Sequence, residues 1–314
     1  MTANTSTFAK RAFRFYKGLV SPRVPRGVIV MNPYSDARVR RHVRRFLDKY
    51  FDDDRPRTLV LGINPGRFGA GITGVTFTDP IALAEKCGIP NDLQRLPELS
   101  SVFIYKVIES VGGPRKFYRR FFLTAACPLG FIRNGVNLNY YDDRALARAV
   151  TPFIVETIRR QIAIGGRADR AIVLGIGANL KFLTELNAKH GFFREIVPLE
   201  HPRWIMQYRR RKLDEYVEKY REAMLIVRAH TRDIVNASSK IEIIAFTTAP
   251  TGEDPAVDYV SQTASGTATI ANGSTTTVAT VNLSNFGGFL RINVMGTRVT
   301  SGSVSSSPVR AESG

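Results

Sequence analysis

Cysteine is nearly absent: Cys87 and Cys127 are the only two in 314 residues. Two thiols cannot make a disulfide framework, a cysteine zinc site or an iron–sulfur cluster. Histidine is scarce as well, and His42, His190, His201 and His230 show no metal-ligand spacing. The expectation is a protein that works without metal or cofactor. No apolar run approaches the ~18 residues that a membrane span requires. The opening stretch, "MTANTSTFAKRAFRFYKGLV", is basic but has no continuous apolar centre and no clear cleavage site. It reads as a first helix, with an organelle transit peptide as the alternative. The expected location is intracellular, and in a bacterium the cytoplasm, beside the nucleoid. Hydrophobic residues, at 44%, are enough for a sizeable core in a chain long enough for one large domain and a further piece.

Negative charge is the other deficit. Lys and Arg number 45 against 27 Asp and Glu, a net +18. Residues 231–314 hold 5 Lys+Arg and 6 Asp+Glu, so the first 230 residues carry 40 against 21, or +19. A domain this basic attracts polyanions, with nucleic acid ahead of a charge that serves only solubility.

Four short runs, apolar throughout, read as buried parallel strands: "RTLVLGIN" (57–64), "FFLTAACPL" (121–129), "RAIVLGIG" (170–177) and "EIVPLEHP" (195–202). Helical patterns separate them. One follows Ser35 or Asp36 as N-cap, and a long one over 141–166 is expected to kink or break at Pro152. "QYRRRKLDEYVEKYREAML" (207–225) closes the series. The expected fold is α/β: an open, mostly parallel four-stranded sheet flanked by helices, an α/β/α sandwich over residues 1–228. From 229 to 314 the chain turns Ser/Thr/Gly-rich. It reads equally as a small β-module or a disordered extension, with a hairpin at Asn272-Gly273, a strand in "GGFLRINVMGTRV" and a disordered end over 301–314.

In an open α/β sheet ligands bind beyond the carboxyl ends of the strands. The first tip delivers Asn64 and then "PGRFGAG", the second "TAACPLGF", the last His201 in "EHPRWIMQYRRR". The glycines fit neither a P-loop nor a dinucleotide fingerprint, because a proline stands where a helix should start. Cys127 reads as a buried small residue, "RRHVRRF" (40–46) as a solvated helix face, and the aspartates at 52–54 and 142–143 as solvated caps.

"GINPGRFGAGITGVTFTDP" (62–80) together with "HPRWIMQYR" (201–209) closely resembles the two active-site motifs of the uracil-DNA glycosylase superfamily. The nearest branch is the single-strand-selective monofunctional (SMUG-like) type, in its second, bacterial subgroup. "CPLGFIRNGVNLNYYD" (127–142) is similar to a third landmark, and the likeness spans roughly residues 8 to 225. The resemblance implies that Asn64 positions the attacking water and that His201 donates to the base as negative charge builds on it. It implies that Phe77 stacks on the extruded base, and that Gly62, Ile63, Pro65, Gly66 and Phe68 shape the base pocket. Arg67 and the segment Arg203, Trp204, Ile205, Met206, Gln207, Arg209 and Arg210 would wedge into the duplex and hold phosphates. For Phe77, His201 and Trp204, a purely structural role is the competing reading.

The chain departs from the pattern at one place. The family usually offers an asparagine two residues before Cys-Pro-Leu, where this sequence has Ala125. Base reading then falls to Thr124, to backbone near Ala125 and Ala126, or to water. Hypoxanthine, xanthine and 5-substituted uracil come into range. The resemblance implies a monofunctional DNA glycosylase, acting as a monomer on single- or double-stranded DNA that carries uracil or a modified base. The alternatives are a catalytically weak damaged-DNA or single-strand binding protein with the same fold, and a small-nucleotide-binding protein.

Overall fold

A strand with two apolar faces is stable only between two covering layers, so runs such as "TLVL" call for helices on both sides. The computed structural model describes residues 6–225 and the strand segments 240–246, 261–267 and 289–295. Its first elements are α1 (Phe8–Lys17), β1 (Ile29–Met31), α2 (Ala37–Tyr50), β2 (Arg57–Gly62), α3 (Ala70–Thr73) and α4 (Pro80–Glu85). There follow α5 (Leu99–Ser110), α6 (Gly113–Tyr118), β3 (Phe121–Ala125), β4 (Gly130–Arg133) and β5 (Val136–Leu138). The series continues with α7 (Arg144–Ala163), β6 (Gly166–Leu174), α8 (Ala178–His190), β7 (Glu195–Leu199), α9 (Pro202–Tyr208) and α10 (Leu213–Leu225).

The four expected strands are β2, β3, β6 and β7. They form one parallel sheet in the order β3-β2-β6-β7, flanked by helices. The centre of the sheet is wholly buried at Leu59, Val60, Leu61, Ala171, Ile172 and Val173. Of the two proposed caps for α2, Asp36 is the one used: its carboxylate accepts the Arg38 amide at 2.7 Å.

Three features differ from the reading of the sequence. Pro152 does not break α7, which runs unbroken across it. The proline forfeits one backbone bond, and the buried stripe Leu146, Val150, Ile154, Val155 and Ile158 holds the helix on either side. The stretch 207–225 is not one helix: it is the end of α9, a 3₁₀ turn at Arg210–Lys212, and α10. A second, antiparallel sheet, β1-β4-β5, was not foreseen. Its β4–β5 hairpin turns on Asn134 and Gly135, both at positive φ (51° and 73°), which is the geometry that Asn-Gly favours.

The chain divides into two compact units, residues 1–221 and 222–314. In the second unit, β8 (Lys240–Phe246) pairs antiparallel with β9 (Ser261–Thr267) and with β10 (Phe289–Met295). The strand expected in "GGFLRINVMGTRV" is β10. The hairpin at Asn272-Gly273 and the end at 301–314 lie outside the described residues.

The tip of β3 is fixed from beneath by a buried polar cluster. Gln161, from α7, donates through Nε2 to the Ala125 carbonyl (3.2 Å), and its Oε1 accepts from the Thr124 hydroxyl (2.6 Å). Gln161→Leu would keep the volume but strand the Ala125 carbonyl, at about 1–3 kcal/mol, and leave the Thr124 hydroxyl only its 3.3 Å contact with the Tyr16 hydroxyl. Thermal melting should fall by roughly 5–10 °C. A melt within 1–2 °C of wild type would show that the cluster contributes little.

Candidate active site

The carboxyl ends of the parallel strands lie level. Gly62 of β2 stands beside Ala125 of β3, Leu61 beside Val173 of β6, and Leu174 beside Leu199 of β7. The segments beyond them enclose a cavity of about 290 Å³. Ligand pockets run roughly 300–1,000 Å³, so this one suits a single flat ring system.

From the first motif, Gly62, Ile63, Asn64, Pro65, Gly66 and Phe77 line the cavity. Asn64 is held at both ends of its amide. Nδ2 donates to the Leu138 carbonyl (3.1 Å) and Oδ1 accepts the Tyr140 amide (3.1 Å). An amide has two donors and two acceptor lone pairs, so Asn64 keeps one N–H and one lone pair for a ligand or water. Phe77 sits at φ 53°, a left-handed backbone that a bulky residue rarely adopts. Thr73 helps hold that turn by donating to the Thr78 carbonyl at 2.6 Å. The Phe77 ring lies against Gly62, where a Cβ would come within 2.7 Å of a ring carbon. The first glycine of the motif therefore seats the protein's own aromatic platform. Strain of order 1–3 kcal/mol, retained beside a cavity, points to function.

From the other side come His201, Arg203, Trp204 and Gln207. His201 caps α9: its Nδ1 accepts the Arg203 amide at 3.2 Å. With Nδ1 as acceptor, the neutral ring carries its proton on Nε2. The ring centroid lies 5.8 Å from that of Phe77. Burial, and then the Arg203 charge, push the His201 pKa down from 6.5 to about 4. The site thus offers a neutral N–H donor beside an aromatic ring, the two planes tilted by 49°.

Several residues expected at the site are elsewhere. Thr124 is wholly buried, bonded to Gln161 and 3.3 Å from the Tyr16 hydroxyl, and it does not reach the cavity. Ala125 does line it, but its carbonyl is taken by Gln161, and the Ala126 amide donates to Gly62 O at 2.9 Å. Phe68 is 46% exposed outside the cavity, under the Arg67 guanidinium at 4.6 Å, and Arg67 bonds the Gly135 carbonyl. Ile205 and Met206, expected in the wedge, are buried: in α9 they lie on the inner face. The outer face shows Trp204 and Tyr208, 36% and 65% exposed, with Arg209 stacked 4.8 Å over Trp204. Arg209 and Arg210 are solvent-exposed, outside the cavity. Cys127 is buried and its thiol is pushed up to about 12, which leaves it unreactive.

The sequence reading gave no site role to Glu98, Asn137, Asn139 or Tyr141, all of which line the cavity, as does Tyr208. Glu98 stands just before α5, with no side-chain cap bond to it, distant in sequence from either motif. Asn137 lies on β5 and Asn139 just beyond it, and the Asn134-Gly135 turn was the signal that could have placed them. No cluster of three or more metal-ligating side chains occurs among the described residues.

Above pH 6.5 the neutral His201 imposes no cost on the fold. Between 6.5 and 4 the unfolded state binds the extra proton first, so this contribution to stability is lost as pH falls through 4. An NMR titration of the ring should show a midpoint near 4, with Nε2 protonated throughout. A midpoint near 6.5 would mean that the ring is solvated and free of the site.

Residues 49–225 match the Uracil DNA glycosylase superfamily. Among solved structures, the chain is similar to the crystal structure of wild-type Pedobacter heparinus SMUG2, at 44% sequence identity and a TM-score of 0.68. The match covers 69% of this chain and 96% of that one. No curated protein matches. On the family match over more than half its length and on this structural likeness, the chain belongs to the uracil DNA glycosylase superfamily, in its SMUG-like branch, and is a hydrolase of the N-glycosidic bond in DNA.

Proposed function

We propose that the protein is a monofunctional glycosylase that removes uracil or a related deaminated or modified base and leaves an abasic site. The observation that carries this reading is the pairing of a clamped Asn64 with a neutral His201 donor around Phe77 in one cavity. Cleavage of the base–sugar bond sends the bonding electrons to the base and leaves positive charge on the sugar. A fixed donor at the departing base lowers that barrier without proton exchange. The Nε2–H of His201 supplies it. Asn64 cannot accept a proton, so its role is to orient water through its free N–H or lone pair. The target base must leave the stack at a cost of a few kcal/mol. Stacking on Phe77 offsets that cost, and Trp204 and Tyr208 on the outer face of α9 replace Ile205 and Met206 as the residues that enter the duplex. No lysine lines the cavity, so the described site holds no amine to form a Schiff base with the abasic sugar. On this reading catalysis lies within residues 1–228, in a monomer that uses no metal.

Asn64→Ala should slow base release in single turnover by at least ~100-fold while binding to an uncleavable analogue survives. His201→Ala should lose a similar factor at saturation, for want of the leaving-group donor. Arg209→Ala should instead weaken binding and reduce the salt slope by about 1, as expected for one phosphate contact. If wild type binds damaged DNA yet releases no base from any of the candidate oligonucleotides, the protein is a binding module. An Asn64→Ala variant at wild-type rate would remove the water-positioning role.

A further inference from the structure

Asn64 leaves the reaction short of one component: something must take the proton of the attacking water. Around the turn at Gly66 the structure collects unused hydrogen-bonding capacity. Asn137, on β5, brings its Nδ2 to within 3.6 Å of where a Gly66 Cβ would stand. Its Oδ1 is buried with no hydrogen-bond partner. On the other side, Glu98 Oε1 lies 3.8 Å from that same point. Neither carboxylate oxygen of Glu98 is hydrogen-bonded within the described residues. A buried orphan acceptor needs an explanation, and a water requires two to four polar partners. Asn64, Asn137 and Glu98 all line one cavity, and a water among them can donate to the Asn137 Oδ1 and to the Glu98 carboxylate while it accepts the free N–H of Asn64, which leaves its second lone pair for the attack.

Glu98 is held where it stands. Its backbone amide donates to Asp79 Oδ2 (2.9 Å), while Asp79 Oδ1 caps α4 through the Ala82 amide (2.8 Å). Its carboxylate fills the space of an absent side chain: a Cβ on Gly69 would lie 1.7 Å from Oε2. Any other residue at position 69 would expel the carboxylate. The second glycine of "PGRFGAG" is thus a seat for Glu98, as Gly62 is a seat for Phe77.

We propose that Glu98 is the proton acceptor for the water that Asn64 and Asn137 hold. The inference rests on the glycosylase reading and completes it. As the C1′–N bond breaks, its electron pair leaves with the base, towards His201. The water oxygen then bonds to C1′, and one of its protons passes to Glu98, which becomes a neutral carboxylic acid. Later loss of that proton to solvent or to the base anion restores the carboxylate.

The electrostatics suit the role. Burial, and then the Asp79 charge, raise the Glu98 pKa to about 7, against the opposing pull of Arg203. The other titratable groups facing the cavity are His201, neutral above pH 5, and Tyr141, raised to about 12 by burial, with Tyr208 at its rim. Between pH 5 and 9 the titration at the site is therefore that of Glu98, and the basic form accumulates as pH rises through 7.

The experiment is single-turnover base release by the full chain from pH 5.5 to 9, for wild type, Glu98→Gln, Glu98→Ala and Asn64→Ala, with thermal melts alongside. Wild type should rise to a plateau with an inflection near 7. Glu98→Gln should be slower by about 100-fold at pH 8 and lack the inflection, since general-base help is worth roughly 100- to 10,000-fold. Added formate should restore part of the rate to Glu98→Ala. Glu98→Gln should also melt higher than wild type. Because the folded pKa is raised, the charged carboxylate burdens the fold progressively between pH 4.5 and 7 and fully above 7. The thermal advantage should grow over that range. A residue with a purely structural role would lose stability together with rate. If Asn64→Ala is inactive and Glu98→Gln matches wild type or keeps the inflection, the proton-acceptor role falls while the glycosylase reading stands. If wild type releases no base, both fall.

Discussion

The site depends on one side chain acting as a splint. Asn64 extends from the tip of β2 and binds the backbone of Leu138 and Tyr140 with both ends of its amide. Those residues lie at and just beyond β5, in the sheet that the parallel layer does not contain. Tyr140 continues the connection, since its hydroxyl donates to Asn179 Oδ1 (2.5 Å) and Asn179 Nδ2 donates to the Leu174 carbonyl (2.9 Å). A continuous run of hydrogen bonds therefore joins the tip of β2 to the tip of β6 through the cavity wall. Tyr140 is fully buried and Asn179 nearly so, where an unpaired polar atom is expensive. The geometry of the site is thereby tied to the stability of the fold. Asn64 cannot rotate to a new rotamer without leaving the two backbone groups unpaired.

The site is kept nearly free of fixed charge in a domain that is strongly basic. Among its polar groups are the amides of Asn64, Asn137 and Asn139, an imidazole held neutral, and a carboxyl close to its midpoint at neutral pH. On the proposed reading, negative charge that develops on the base meets an oriented N–H dipole, and Arg203 and the Glu98 carboxylate are the ionisable groups nearby. The basic surface serves another purpose: it raises the local concentration of polyanion and sets the salt dependence. This division explains why composition could point to nucleic acid but not to chemistry. The net charge belongs to the surface, and the chemistry to groups that sum to almost nothing.

The strands of the parallel sheet were legible because burial on both faces forces an unbroken apolar run, and the strand tips then located Asn64 and His201. Legibility stopped where partners came from outside the pattern. The β4–β5 hairpin carries an Asn-Gly turn in "IRNGVN", as clear as the one at Asn272-Gly273, but its strands are short and only half-buried, so no alternation announced them. Asn137 was missed with it. Glu98 follows "RLP" and precedes a helix, and in sequence it is an ordinary helix-start acid. Only the three-dimensional seat at Gly69 shows that the carboxylate is turned into the cavity. The glycines were read as room for a ligand. Two of them are room for the protein's own side chains.

The segment "HPRWIMQYR" was read as a linear wedge, and the helix it forms sorts the same residues differently. In α9 Ile205 and Met206 face inward and anchor the helix, while Trp204 and Tyr208, four residues apart, share the outer face. The residue before the first turn, His201, is the N-cap, fixed by its bond to the Arg203 amide. One short, anchored helix thus carries His201, the proposed leaving-group donor, at its start and the exposed aromatics along its outside. The helix is seven residues long and is anchored by Pro202, Ile205 and Met206 on its buried face. On the proposed reading, the residues that meet the DNA strand and the residue that meets the base therefore sit on one short helix, three to eight positions apart.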